Sequence, residues 1–134
     1  MRSSPVDTVK SLFQFFGAGN MPAVLGLLAD DVVWSGGKFD NDVPAHVERR
    51  GRGEVPKFFE GVAREQDFHR FEPARFFCDG NDVVALVHEE FTFRRSGKRV
   101  ALDVLHYFTV NADGRVARYR SYYDTSHYVA AYRG

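Results

Sequence analysis

"VVALVHEEFTFRRSGKRVALDVLHYFTVNADGRVARYRSYYD", residues 83–124, holds three apolar-rich runs separated by two turn signals. The runs 83–95, 99–110 and 115–124 are rich in Val, Phe and Tyr and alternate apolar with polar positions, which is the period of a half-buried strand. "SGK" at 96–98 and "NADG" at 111–114 join them. Asp-Gly supplies the positive φ that a tight hairpin needs. Upstream, "FHRFEPARFFCD" at 68–79 also reads as a strand, with Pro73 restricting it to an edge or a bulge, and "GND" turns it into the next run. Four strands joined by short turns imply an antiparallel sheet.

The residues before 66 carry a different period. Val6, Val9, Leu12, Phe13 and Phe16 form one helical stripe that starts near Pro5, with Ser4 as N-cap. Asn20 caps a second helix that carries Val24, Leu25, Leu27 and Leu28 and closes at "ADD". "VVWSG" reads as a short strand, and residues 36–50 as a polar loop long enough for a lid or pocket rim. A third helix runs from about Glu54 to Glu65 and buries Val55, Phe58, Phe59 and Val62. A short helical tail, "TSHYVAAYRG", ends the chain. Helices first and hairpin-linked strands after them mean an α+β domain spanning residues 1–134, its helices covering one face of a curved, mostly antiparallel sheet.

Composition narrows the function classes. Lys plus Arg equals Asp plus Glu, at 18 each, so nothing draws the chain toward nucleic acid or an acidic membrane. One cysteine, Cys78, excludes an internal disulfide framework and reads as a small buried hydrophobe, and no Cys/His cluster has zinc spacing. "MRSSPVDTVK" lacks the apolar run of a signal peptide, and no window has the length of a membrane span, so a cytoplasmic protein is expected. Aromatic residues make up 15% of the chain, enough to line a cavity for a flat apolar ligand or to fill a bulky core.

Strand alternation selects the inward residues. Leu102, Val104, His106, Phe108 and Val110 share one face; Val87, Glu89, Phe91 and Phe93 share a face of the preceding strand; Tyr119, Ser121 and Tyr123 share a face of the last. These faces combine apolar surface with a few polar tips, the makeup of a small-molecule pocket, and Trp34 joins them from the short strand. His106, Glu89 and Tyr119 are the catalytic candidates. An unperturbed imidazole titrates near ~6.5, suited to proton transfer, and Glu89 or Tyr119 can set its tautomer. Trp34, Phe58, Phe91, Phe93, Leu102, Val104, Ser121 and Tyr123 are the ligand-contact candidates. Each also has a plain structural reading: His106 as a buried ring bonded to a main-chain carbonyl, Glu89 as a paired edge carboxylate, the tyrosines as core residues. His88 and Glu90 fall on the opposite face, and His46 and His69 in or near loops.

Four segments, "GNMPAVLGLLADDVVW" (19–34), "RGRGEVPKFFEGV" (50–62), "RVALDVLHYFTVNADGRV" (99–116) and "RSYYDTSHYVAAY" (120–132), resemble in their order and spacing the SnoaL-like and ketosteroid-isomerase-like proteins of the nuclear-transport-factor-2-like superfamily. The resemblance implies a cone-shaped fold, with three N-terminal helices on the curved sheet and a pocket between them. It also implies a homodimer through the outer sheet face, which Leu105, Tyr107 and Tyr122 support. In the steroid isomerases, an example used to teach pKa tuning, a carboxylate base works with a tyrosine and a protonated carboxylic acid. Those three positions fall here at Gly36, Leu12 and His106, so all three roles have lost their usual residue. The Asp–Arg–Asp set of the epoxide-hydrolase branch finds Ser121 where one Asp would stand. What the resemblance leaves is SnoaL-like chemistry without a cofactor: acid/base work of a cyclase, isomerase or dehydratase kind on a small hydrophobic, aromatic or polyketide-like ligand, with His106 as general acid/base. The alternative is a non-catalytic ligand-binding or dimeric assembly module of the same fold.

Overall fold

A computed structural model describes residues 4–36 and 47–134. Helix α1 (Pro5–Gly17) begins where Ser4 accepts a hydrogen bond from the Asp7 amide, and α2 (Met21–Gly26) where Asn20 accepts from Ala23. Both caps satisfy amides that the first turn leaves open. Strand β1 (Leu28–Ser35) and the two-residue β2 (Arg49–Arg50) follow, then a 3-10 turn (Arg52–Glu54) and α3 (Val55–Glu65). The long strands are β3 (Gln66–Asp79), β4 (Asp82–Phe93), β5 (Arg99–Val110) and β6 (Val116–Tyr122), and α4 (Thr125–Arg133) closes the chain. Of the three helices expected ahead of the sheet, α1 and α2 precede every strand, whereas α3 follows β1 and β2.

The six strands form one sheet in the order β2-β1-β6-β5-β4-β3, antiparallel except for the parallel β1–β6 pair. Strand β5 begins and ends where the alternation predicts. In β4 every second residue from Val83 to Phe93 is buried. In the hairpin "NADG", Gly114 takes φ of 80°, left-handed backbone that a side chain resists. Pro73 stands on the edge strand β3, whose register slips between Phe68 and Arg70 and again between Pro73 and Arg75. Helices α1 and α3 pack on the inner face, where Val9, Leu12, Val24, Val55 and Phe58 join Val83, Phe108 and Val116 in one buried cluster. Phe91, Phe93, Val100, Tyr128 and Tyr132 form a second, beneath α4.

Three expectations need correction. The second helix stops at Gly26, and Leu28 and "ADD" belong to β1. The strand wins because Leu28 pairs with Val116 and is fully buried there, while the Val116 amide donates to the Leu27 carbonyl. Tertiary pairing overrides the modest helical preference of a six-residue run. Cys78 is exposed, because it lies on the mostly exposed edge strand β3, where its thiol donates to the Gly80 carbonyl. The loop expected over 36–50 contains β2, and the rest of it from 37 to 46, with His46, lies outside the described residues.

Candidate functional site

Register fixes where the three ionisable candidates start. His106 stands opposite Ala85 on β4 and Ser121 on β6, while Tyr119 pairs with Phe108. His106 and Tyr119 are thus diagonal neighbours, within reach of one another on any sheet. Glu89 is different: it lies four positions along β4 from Ala85 (89 − 85), a separation of about 13 Å on a flat strand. The side chains nevertheless meet, which requires the sheet to curl so that both lean over Val87 and Val104.

The result is a hydrogen-bonded chain. His106 Nε2 lies 2.9 Å from Glu89 Oε2, and Nδ1 lies 2.7 Å from the Tyr119 hydroxyl. All three residues are under one-tenth exposed. Burial first, and then the neighbouring Glu89 charge, push the Tyr119 hydroxyl well above its ordinary pKa, so it keeps its proton. A carboxylate can only accept. With Glu89 ionised, His106 Nε2–H donates to Glu89, and the Tyr119 O–H donates to Nδ1. Glu89 Oε1 takes no hydrogen bond from any other described residue.

Aromatic rings hold this chain in place. Phe13 meets the His106 ring edge-on with centroids 5.7 Å apart, Phe71 approaches from 6.0 Å, and Trp34 stacks on Tyr119 at 4.2 Å. Together they wall a cavity of about 80 Å³ between sheet and helices. Several of its other polar groups are occupied. Ser121 and Tyr123 both donate to the Gly36 carbonyl, at 2.7 and 3.0 Å, and Tyr128 donates to Gln66 at 2.9 Å. Trp34 Nε1 is buried with no hydrogen-bond partner among the described residues. No group of three His, Cys, Asp or Glu among the described residues could hold a metal ion.

Of the eleven residues singled out from the sequence, His106, Glu89, Tyr119, Trp34, Phe58, Val104, Ser121 and Tyr123 line this cavity. Phe91, Phe93 and Leu102 do not; they pack in the second cluster with Tyr128 and Tyr132. They share the inward face, but α4 covers that end of β4 and β5. His106 does not use the main-chain carbonyl of its plain structural reading, because two side chains reach its ring first. Phe13, Phe16, Phe68 and Phe71 line the cavity without having been nominated. Phe13 and Phe16 carried a signal, as neighbours on the α1 stripe, whereas Phe68 and Phe71 are separated by the first slip of β3.

A family model described as SnoaL-like domain matches residues 9–119. No curated protein matches the sequence at a significant level. Among solved structures, an NTF2-like protein of unknown function from Burkholderia pseudomallei superposes with a TM-score of 0.87 at 23% identity, over 98% of this chain and 99% of the other. TerC, co-crystallised with polyporic acid, gives 0.83 at 21% identity, over 98% and 100%. A candidate polyketide cyclase from Pseudomonas putida gives 0.72 at 20% identity, over 96% and 98%. These likenesses establish the nuclear-transport-factor-2-like fold. Among the described residues no helix is long and apolar enough to cross a membrane.

Proposed function

The chain belongs to the SnoaL-like domain family, and from that premise we propose that it binds a compact hydrophobic ligand and performs cofactor-independent acid/base chemistry on it. The observation that carries this reading is the buried Glu89–His106–Tyr119 chain in the wall of an otherwise apolar cavity. A core has no use for three linked ionisable groups, whose burial is costly unless they are fully paired. A site does: a carboxylate beside an imidazole can accept a proton, and a phenol whose proton is held can return one. His106 is the centre of this unit and not a free-standing base, because both of its ring nitrogens are taken. Trp34 and Phe58 supply apolar contact. Ser121 and Tyr123 seat the end of β1 through Gly36 rather than the ligand.

The cavity limits the ligand. Its volume of about 80 Å³ is near half the ~150 Å³ of a dry cavity that admits benzene, so even one six-membered ring enters only if side chains such as Phe13 and Phe16 swing aside. The related proteins described as polyketide cyclases, and TerC with its polyporic acid, favour a cyclic ligand here. The test is solvent deuterium exchange into the α-carbon of a small cyclic ketone, followed by proton NMR. Exchange above buffer, lost in His106→Ala and Glu89→Gln, is expected. Exchange that survives both substitutions removes the pair from the chemistry.

One observation favours a second reading, a dimeric binding module. The outer sheet face leaves Leu105 and Tyr122 more than two-fifths exposed. A second copy packed there makes the dimer the working unit. A monomer mass independent of concentration in solution scattering rules that out.

A further inference from the structure

Within this cavity the polar atoms are unequally used. His106 has no nitrogen to spare, Tyr119 is bound to it, and Ser121 and Tyr123 are turned to Gly36. Trp34 Nε1 is a buried donor without a partner among the described residues, and Glu89 Oε1 is the acceptor left, on a residue that lines the cavity and is more than nine-tenths buried. Its role follows from where the shared proton sits. With that proton on His106 Nε2, Glu89 is a carboxylate and Oε1 accepts. With it on Glu89 Oε2, Oε1 is a carbonyl oxygen and still accepts.

We infer that the ligand is a small ring-bearing molecule carrying a single polarised O–H or N–H, a phenol, enol or amine, which donates to Glu89 Oε1 while the ring sits among Phe13, Phe71 and Trp34. This deepens the ligand-pocket reading above and rests on it. Once Phe13 and Phe16 swing aside, the aromatic walls suit a flat ring, and they suit a cationic amine as well, since ring faces attract positive charge. An anionic, acceptor-only ligand is disfavoured, because its charge would face the Glu89 oxygen, and the one cavity-lining donor without a partner among the described residues is the fully buried Trp34 Nε1. The hydrogen handed to Oε1 is also the one that acid/base chemistry would move.

The experiment compares phenol, benzylamine, toluene and benzoate as ligands of the intact protein, by thermal unfolding at rising ligand concentration and by ligand-observed NMR. Phenol or benzylamine is expected to bind about tenfold or more tightly than toluene, the usual size of a hydrogen bond to a charged group, and benzoate most weakly. In Glu89→Leu, which removes the acceptor, this order should collapse toward toluene's affinity. If that variant does not fold, the wild-type ranking decides alone. Toluene or benzoate equal to both donors, no binding by any of the four, or an unchanged ranking in Glu89→Leu overturns the inference. Donor-selective binding with no deuterium exchange leaves it standing and removes only the catalytic reading. Exchange on a ketone together with donor-blind binding removes only this inference.

Discussion

Strands β4 and β5 carry two histidine–carboxylate clusters, one on each face. Inside, His106 bonds Glu89 and Tyr119 under an aromatic roof. Outside, His88 bonds Asp103 at 3.0 Å and Glu90 at 3.2 Å, and Glu90 also pairs with Arg70 and Arg99. The sequence neighbours Glu89 and Glu90 therefore meet the same partner type in opposite surroundings. The outer cluster has water as an alternative partner for every member, so its bonds are exchanged at little net gain. The inner cluster is shielded from bulk water, with all three members under one-tenth exposed, and a lost partner there leaves a buried charge. Chemistry that depends on proton position is possible only where water does not compete, and that singles out the inner set.

The largest expected effect breaks this contrast directly. His106→Ala leaves the Glu89 carboxylate buried without its partner, which should cost about 3–5 kcal/mol of stability in urea unfolding. His88→Ala removes a group whose carboxylate partners keep Arg70 and Arg99 or water, and should shift the urea midpoint far less than His106→Ala does, and not at all at about pH 9. Equal losses in the two variants would show that burial does not set the inner chain apart.

The inner cluster was half legible in the sequence. Alternation put Glu89, His106 and Tyr119 on one face, because side-chain parity survives any sheet shape. The Glu89–His106 contact was not legible, since it spans four positions of register and exists only through curvature, a property of the whole sheet. The same limit explains Phe91 and Phe93. Parity gave their face correctly, but whether a cavity or α4 lies above that end of the strand depends on where the tail packs. Each fully buried phenylalanine contributes roughly 1.5–3 kcal/mol by burial alone, which is reason enough for their presence without a ligand. The N-caps at Ser4 and Asn20 and the Gly114 turn were legible because their causes are local. The exposure of Cys78 and the strand at "ADD" were not, because edge position and pairing with β6 decide them.

A middle-sized effect sharpens the inner side. Tyr119→Phe keeps the ring stacked on Trp34 and removes only the hydroxyl, so packing is retained and His106 Nδ1 loses its partner. A loss of about 1–3 kcal/mol is expected, the range for leaving one buried polar atom unsatisfied. Nitrogen-15 shifts of the His106 ring report the tautomer directly. Wild type should carry its proton on Nε2, as donation from Tyr119 to Nδ1 demands. A proton on Nδ1 would mean that the tyrosine accepts, reversing the chain's direction.

The smallest effect belongs to the outer cluster and is one of pH. The Asp103 hydrogen bond first, and then the Glu90 bond, hold the His88 pKa above its ordinary value, against some desolvation and the Arg70 charge. A histidine raised in the folded state binds its proton more tightly there than in the unfolded chain. Its contribution is therefore full below the ordinary value of ~6.5 and is lost as pH rises through the folded one. Glu90 works with the opposite sign: Arg99 and Arg70, and then His88, lower its pKa, so its contribution disappears as pH falls through that depressed value. Between those limits lies the window in which His88⁺ faces ionised partners. Wild type should exceed His88→Gln in stability at about pH 6, match it at about pH 9, and lose the margin in molar salt, where exposed charges are screened within about 3 Å. A margin that persists at high pH and high salt would mean that His88 acts by packing, and the two histidines would then differ less than their surroundings imply.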